Sequence, residues 1–216
     1  EAEAHEQMDY ALEKGVNFID AAELYPVPAN AETYGDTERI IGNWLKKTGN
    51  RDKVVLASKI AGGGDYTAHI RKNGFSKKGI TEAIENSLKR LQTDYMDLYQ
   101  LHWPSRGVNC FGVRDYPYKT ASKEAENHLE ILETLSDFIK QGKIKHIGLS
   151  NETPWGTMKY LQASEQYNLP KPVTIQNSYS LIHRGYEVGM SEVSMRENIG
   201  LLAYSPLGFG MLSGKY

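Results

Sequence analysis

The sequence has a single cysteine, Cys110, in 216 residues. One thiol cannot form a disulfide bond within the chain, and it cannot supply the thiolate ligands of a metal cluster. The histidines other than His102 show neither helical i,i+4 spacing nor cysteine partners, so we predict no metal site. The scarcity of cysteine fits a reducing compartment, and we expect the protein to be cytoplasmic.

Long apolar runs and an excess of one charge are also missing. No stretch approaches the ~20 apolar residues of a membrane helix, and the acidic residues 1–6 do not resemble a signal peptide. The 25 Lys and Arg nearly balance the 27 Asp and Glu, for a net charge of −2. Proteins that bind nucleic acids or anionic membranes usually carry a basic excess. We therefore expect neither partner, and a small molecule instead.

The glycine motifs that bind nucleotide phosphates are not met. The first candidate strand–helix turn, residues 20–22, contains no glycine, whereas a dinucleotide fingerprint needs G-x-G-x-x-G there. Gly208, Gly210 and Gly214 are spaced one residue too widely for that fingerprint, and they also fail the P-loop pattern. The glycines at 62–64 have no helix directly behind them and indicate a flexible loop. These absences argue against an open dinucleotide-binding sheet.

Short apolar runs alternate with helical patterns along the whole chain. Around 77–91, for example, Ile80, Ile84, Leu88 and Leu91 share one helical face behind a capping Ser76. Such alternation predicts βα units and a parallel sheet, either doubly wound or closed into a (β/α)₈ barrel. Because the dinucleotide fingerprint is missing, we predict an α/β fold of the (β/α)₈ TIM-barrel type in one domain, residues 1–216. The strands are expected at 16–20, 54–59, 95–102, 144–149, 173–176 and 201–204.

Polar residues stand at the ends of these apolar runs. Asp20, Lys59 and His102 close the first three, and Tyr25 lies in the loop after the first. Taken singly, Asp20 could cap a helix, Lys59 could be a solvated strand end, and Tyr25 or His102 could serve packing. A barrel, however, gathers the carboxyl ends of all its strands at one face, where active sites lie. Their joint occurrence therefore predicts an active site.

The motifs as a set resemble the aldo-keto reductases, which are NADPH-dependent enzymes on a (β/α)₈ barrel. The resemblance covers nearly the whole chain and is closest to the bacterial Tas-like branch of the family. The motifs that carry it are Asp20-Ala21-Ala22-x-x-Tyr25 with Tyr34-Gly35-x-x-Glu38, Ser58-Lys59, Leu101-His102-Trp103-Pro104, Gly148-Leu149-Ser150-Asn151 and Tyr204-Ser205-Pro206-Leu207-Gly208.

In this resemblance Asp20, Tyr25, Lys59 and His102 are the catalytic tetrad, and the roles are chemically sensible. Reduction of a carbonyl needs a proton donor, and the phenol of Tyr25 is protonated near neutrality. We expect the ammonium of Lys59 to lower the pKa of Tyr25, and Asp20 to pair with Lys59. His102 would donate a hydrogen bond to the substrate oxygen and so orient it.

The resemblance also implies the residues that bind the cofactor and the substrate. The cofactor would be NADPH, with Ser150, Asn151 and Gln176 at the nicotinamide carboxamide, Tyr204 stacked on the ring, and Ser205, Leu207, Gly208 and Gly210 near the pyrophosphate. The glycines would let backbone N–H groups approach the phosphates. Four apolar or aromatic side chains suggest a pocket for aromatic or aliphatic carbonyls: Leu24, Trp103, Phe111 and Tyr116.

The chain departs from the family pattern at both ends. It begins on what resembles the first helix and stops after the seventh strand, so we expect six of the eight strands, with the first and the last missing. We therefore expect a piece of a longer protein. The family's groups that grip the adenosine 2′-phosphate follow the last strand, so these residues do not set the preference for NADPH over NADH.

The expected function is transfer of a hydride from NADPH to an aldehyde or ketone, with Tyr25 as general acid. The alternative is a nicotinamide-binding regulatory subunit with little turnover, because similar barrels serve as β-subunits of potassium channels. The intact tetrad favours turnover. Neither the physiological substrate nor the oligomeric state follows from the residue types, because loops such as 104–122 shape the pocket.

Overall fold

The fold is described by a computed structural model that covers residues 1–72, 74–113, 115–118 and 127–216. Six strands lie in this part of the chain: β1 (Phe18–Asp20), β2 (Val55–Ile60), β3 (Met96–Leu101), β4 (Ile144–Ser150), β5 (Thr174–Ser178) and β6 (Gly200–Tyr204). Six α-helices alternate with them: α1 (Ala2–Glu13), α2 (Asp36–Thr48), α3 (Lys77–Leu91), α4 (His128–Lys140), α5 (Pro154–Tyr167) and α6 (Met190–Glu197).

The strands form one parallel sheet in the order β1-β2-β3-β4-β5-β6, which is also their order in the chain. A helix connects each strand to the next, as parallel neighbours require. The sheet curls into an incomplete barrel of six strands. The predicted α/β barrel with about six strands is thereby confirmed.

The helix boundaries follow local capping chemistry. Ser76 accepts a hydrogen bond from the amide of Gly79 at 3.1 Å, and this begins α3 as expected. Thr153 does the same for α5 through the amide of Gly156 at 3.2 Å, with Pro154 in the first turn, where no N–H is needed. The sequence signals at these two helices therefore predict the structure correctly.

Several boundaries differ from the sequence prediction. β1 begins at Phe18, two residues later than expected, and β2 continues one residue past Lys59 to Ile60. Helices α2 and α6 were not predicted as elements. The described parts of the 104–122 segment contain no helix or strand, and residues 114 and 119–122 lie outside the described chain. None of the helices in the described residues is long and apolar enough to cross a membrane.

The hydrophobic core lies between the helices and the outer face of the sheet. Trp44 of α2, Ile80 and Ile84 of α3 and Leu132 of α4 are completely buried there. Helices α2 and α3 approach each other so closely that a Cβ atom on Gly42 would lie 2.2 Å from the carbonyl oxygen of Arg90. The glycine at position 42 is thus required by the packing of the two helices.

A cluster of charged side chains lies at the amino ends of the strands. Asp97 of β3 accepts hydrogen bonds from Arg51 at 2.8 Å, Lys145 at 2.7 Å and the amide of Leu56 at 3.0 Å. Partial burial works against ionisation of Asp97, but the Leu56 amide, Lys145 and Arg51 outweigh it and lower the pKa of the carboxyl below its ordinary value. The guanidinium of Arg51 also lies 3.8 Å from the centre of the Tyr95 ring.

Replacing Gly42 with alanine is expected to destabilise the protein, although alanine is the better helix former. The added methyl group would meet backbone atoms, which cannot rotate away, so the free energy of unfolding should fall by about 1–3 kcal/mol. Urea denaturation would measure this loss. Gly185→Ala is the control, because the nearest atom to its Cβ would be 3.7 Å away. Equal stability of the two variants would contradict the packing argument.

Asp97→Asn is expected to alter stability in a pH-dependent way. The pKa of Asp97 is depressed in the folded protein, so its contribution is present above the unfolded value of about 3.9 and is lost as the pH falls through the native value. The difference in unfolding free energy between variant and native protein should therefore shrink below about pH 4. Denaturation at a series of pH values, with exposed Asp137→Asn as control, would test this. A difference independent of pH would contradict it.

Candidate active site

The curled sheet brings the predicted strand-end residues to one place. The ammonium of Lys59 donates to Asp20 Oδ2 at 2.6 Å and to the carbonyl oxygen of Ala21 at 2.8 Å. Lys59 has no exposed surface, whereas the Asp20 side chain is 29% exposed. A buried ammonium is tolerated only with an anion and further hydrogen-bond acceptors around it. Asp20 at the end of β1 and the next residue, Ala21, provide these partners for Lys59 of β2.

Two amides complete the surroundings of the Asp20 carboxylate. Gln100 of β3 donates its amide N–H to Asp20 Oδ1 at 2.8 Å, and Gln176 of β5 donates to Oδ2 at 3.1 Å. Gln176 was predicted as a cofactor ligand, but Gln100 was not singled out from the sequence. The available signal was its position on β3, two residues before His102, where side chains on alternate residues share a face.

Tyr25 and His102 lie beside the ion pair. Their rings are 5.6 Å apart and nearly perpendicular, and the ammonium of Lys59 lies 5.1 Å from the centre of the Tyr25 ring. The backbone of His102 is fixed to β2, because its N–H donates to the carbonyl oxygen of Ile60 at 3.0 Å. The structure thus brings together all four residues of the predicted tetrad, on β1, β2, β3 and the loops that follow.

The pKa of Tyr25 does not shift in the expected direction. Burial, followed by the negative charge of Asp20 and the nearby Tyr204, raises the pKa of Tyr25 from 10.0 to about 12. The prediction that Lys59 lowers it is therefore wrong for this structure. The reason is that burial of the phenol disfavours its ionised form, and the neighbouring Asp20 carboxylate adds to this effect.

His102 is an uncharged imidazole at neutral pH. Burial, together with the positive charge of Lys59, lowers the pKa of His102 well below its ordinary value of 6.5. Its Nδ1 atom is buried and has no hydrogen-bond partner among the described residues. A neutral imidazole donates through one nitrogen only, so it can hold a substrate oxygen in place while Tyr25 keeps the proton to be transferred.

The residues predicted to bind a nicotinamide ring lie along the ends of β4, β5 and β6. Asn151 has a left-handed φ of 53° and donates from Nδ2 to the carbonyl oxygen of His102 at 2.9 Å and to Ser150 Oγ at 3.1 Å. The hydroxyl of Tyr204 donates to Asn151 Oδ1 at 2.7 Å. These bonds fix the loop after β4 against β3 and β6. The Ser150 hydroxyl proton and the Gln176 amide oxygen have no hydrogen bond within the described chain.

The loop after β6, where the pyrophosphate is expected, contains a series of tight turns. Ser205, Gly208 and Gly210 have left-handed φ angles of 54°, 56° and 96°. The amide of Gly208 donates to the Ser205 carbonyl at 2.9 Å, and that of Gly210 donates to the carbonyl of Leu207 at 3.1 Å. These N–H groups close turns within the loop, so a pyrophosphate would have to compete for them.

The four residues predicted for the substrate pocket are not all together. The Trp103 ring contacts those of His102 at 4.9 Å and Phe111 at 5.8 Å, and it lies where a Cβ on Gly62 would be 2.2 Å from the indole. Trp103 and Phe111 thus form an aromatic wall beside the tetrad. Leu24 is buried, and the ring contact of Tyr116 is with Tyr118.

A buried ion pair that the sequence did not reveal ties the surrounding loops together. Arg106, after β3, pairs with both carboxylate oxygens of Glu152, after β4, and it also donates to Thr153 at 3.1 Å. The carbonyl oxygen of Glu152 accepts from Asn177 of β5 at 3.2 Å. The two charged side chains are 9% and 4% exposed. This clamp, Arg106–Glu152, joins the loops after β3 and β4 to strand β5 at the carboxyl end of the sheet.

The described residues contain no group of three or more His, Cys, Asp or Glu side chains placed to hold a metal ion. The site instead consists of one buried ion pair, a phenol, a neutral imidazole and two amides. This set can donate a proton and hold a carbonyl oxygen.

Comparison with known proteins finds relatives that match the whole of this chain. Protein tas from Escherichia coli is 52% identical over 218 residues, which cover 100% of this chain and 63% of that protein. The uncharacterized oxidoreductase YrpG from Bacillus subtilis is 36% identical, with 96% of this chain and 58% of that protein covered. The chain thus spans about three fifths of the length of these relatives.

A crystal structure of a thermostable aldo-keto reductase with the inhibitor epalrestat superimposes with a TM-score of 0.73 and 28% identity. The match covers 99% of this chain and 64% of the other. The model of the aldo/keto reductase family matches residues 1–216, the whole of the chain. The chain therefore belongs to the aldo/keto reductase family.

Proposed function

We propose that the protein transfers a hydride from NADPH to an aldehyde or ketone, with Tyr25 as the general acid. The observation that carries the proposal is the convergence of Tyr25, the Asp20–Lys59 ion pair and neutral His102 at one end of the sheet. When bound, the nicotinamide supplies the hydride to the carbonyl carbon. Tyr25 then gives its hydroxyl proton to the carbonyl oxygen.

Each of the other three residues has a role in that step. The high pKa of Tyr25 keeps its hydroxyl protonated at neutral pH, so the proton to be transferred is present before the carbonyl compound binds. As the proton leaves, negative charge grows on the phenol oxygen, and the cation of Lys59, held by Asp20, stabilises that charge. His102 holds the carbonyl oxygen in line with the phenol through a neutral hydrogen bond.

The residues that would hold the nicotinamide fit a carboxamide. That group offers one N–H₂ donor and one carbonyl acceptor. The amide oxygen of Gln176 can accept from the N–H₂, because its own nitrogen already donates to Asp20. The Ser150 hydroxyl and the Asn151 amide complete the set, and Tyr204 is the proposed stacking partner of the ring. These roles, the NADPH specificity, a carbonyl substrate of aromatic or aliphatic type, and a cytoplasmic location are proposals for the whole protein.

The Arg106–Glu152 clamp supports the cofactor site because Glu152 directly follows Asn151. Its carboxylate fixes the loop after β3, and its carbonyl oxygen fixes β5. A nicotinamide that binds to Asn151 therefore meets a loop whose conformation is already set, and less conformational entropy is lost on binding.

Tyr25→Phe is expected to lower kcat/KM for an aromatic aldehyde about 10²- to 10⁴-fold, because only the acidic hydroxyl is removed. NADPH consumption would be followed by absorbance in the full-length protein, and NADPH affinity by fluorescence should not change. Since the native pKa is about 12, the native enzyme should lose no activity through phenol ionisation up to about pH 10.

Tyr34→Phe is the matched control, since Tyr34 follows in the same loop and contacts His69 rather than His102. Equal turnover by Tyr25→Phe and the native protein would show that another group is the acid. Tight NADPH binding without turnover in either protein would contradict the reductase proposal and favour a regulatory nicotinamide-binding subunit.

Glu152→Gln keeps the shape of the side chain but leaves the buried Arg106 without its carboxylate. Loss of one partner of a buried pair should lower the unfolding free energy by about 3 kcal/mol. The KM for NADPH should rise more than kcat falls, because the nicotinamide loop loses its anchor. Glu192→Gln, which removes an exposed pair with Arg196, is the control. An unchanged KM for NADPH would show that the clamp does not position the cofactor loop.

A further inference from the structure

The Asp20 carboxylate receives three side-chain hydrogen bonds, which is more than an ion pair needs. Lys59 and Gln176 both donate to Oδ2, at 2.6 and 3.1 Å. Gln100 donates to Oδ1 at 2.8 Å and is the one side-chain donor to that oxygen among the described residues. The two oxygens are therefore held by different strands.

The register of the sheet fixes this arrangement. Lys59 of β2 lies opposite Gln100 of β3, which lies opposite Gly148 of β4. Residues in lateral register point to the same face, so Lys59 and Gln100 are neighbours inside the curled sheet. A Cβ atom on Gly148 would lie 2.9 Å from Cγ of Gln100. The missing side chain at Gly148 thus leaves room for the amide to reach Asp20.

Packing alone does not explain a glutamine at this position. Gln100 is completely buried, and its Oε1 has no hydrogen-bond partner in the described part of the chain. A buried acceptor without a partner is unfavourable for folding. Rotating the amide would not help, because Oε1 would then face the carboxylate of Asp20. An apolar side chain of similar size would avoid the unpaired oxygen.

We propose that Gln100 is a positioning residue that keeps the Asp20–Lys59 pair in its charged form. The proposal rests on the proposed function for its role in catalysis, although it concerns the pair itself. A proton could move from Lys59 Nζ to Asp20 Oδ2 across their short hydrogen bond, which would leave an amine and a carboxylic acid. Burial of Lys59 disfavours the ammonium and so favours this neutral pair.

The amide N–H of Gln100 opposes that transfer because it hydrogen-bonds to the ionised carboxylate. Burial lowers the pKa of Lys59, and the charge of Asp20 works against this shift. Anything that preserves the anion therefore preserves the cation. Gln176 makes the longer bond and is also the proposed ligand of the nicotinamide, so Gln100 is the donor committed to Asp20 alone.

The charged form matters at the moment of proton transfer. A neutral Lys59 could not stabilise the negative charge that develops on the Tyr25 oxygen. Loss of the Gln100 donor should therefore lower kcat about tenfold, the effect of one hydrogen bond to a charged group. The KM values should change little, because Gln100 is buried and its amide contacts Asp20 rather than a ligand.

Three variants of the full-length protein test the proposal. Gln100→Leu removes the donor and the unpaired oxygen together, so kcat should fall about tenfold while thermal stability is retained. Tyr99→Phe is the control, since it removes a buried hydroxyl from the adjacent residue on the opposite face of β3. Gln100→Glu is nearly isosteric and decides the question if Gln100→Leu does not fold.

Gln100→Glu is expected to depend on pH in a way that the native protein does not. At acid pH its protonated carboxyl donates to Asp20 and kcat should approach the native value. Beside Asp20 this carboxyl titrates above the ordinary value of about 4.3, and kcat should fall as it ionises. Besides Asp20 and Lys59 themselves, the titratable groups that interact with this site in the described chain are His102 after β3, Tyr25 after β1, Tyr204 on β6 and Glu38 of α2.

A second measurement does not depend on turnover. NMR of protein with isotope-labelled lysine side chains should show an ammonium signal that disappears in Lys59→Met. In Gln100→Leu this signal should change to that of a neutral amine. Native kcat in Gln100→Leu, no recovery of Gln100→Glu at acid pH, or an unchanged Lys59 signal would each overturn the inference. If the native protein lacks turnover, the reductase proposal fails, and the NMR result still decides the role of Gln100.

Discussion

The burial of the Lys59 ammonium is the constraint on which the rest of the site depends. A cation with no exposed surface is tolerated only if an anion and further acceptors are placed around it. Asp20 and the carbonyl of Ala21 meet that need from the neighbouring strand. The parallel register of β1 and β2 is therefore an electrostatic requirement as well as a matter of backbone pairing. Tyr25 and His102 have shifted pKa values because they share this buried environment.

The fold was predictable because its signals are local and repeated. Alternating apolar runs, the Ser76 cap and the Thr153-Pro154 start each arise from a few adjacent residues. Strand boundaries were less accurate, since hydrogen bonds to a neighbouring strand decide whether Val16 or Phe18 begins β1. Those partners are distant in sequence.

The site was predictable only in part, for the same reason. Asp20, Tyr25, Lys59 and His102 lie at strand ends or in a following loop, and the structure gathers them as expected. Gln100 lies within an apolar run, and its role emerges only when β3 is placed beside β2. The direction of the Tyr25 pKa shift could not be foreseen, because it depends on burial and on the charge of Asp20, neither of which is encoded at position 25.

The Arg106–Glu152 clamp makes two properties of the protein interdependent. Arg106 lies in the loop that carries Phe111, on the proposed substrate side, and Glu152 directly follows Asn151, on the proposed nicotinamide side. Because this one pair holds both loops, a substitution that breaks it would loosen both sides together. If the proposed reductase function holds, changes in these two loops would therefore affect substrate range and cofactor affinity together.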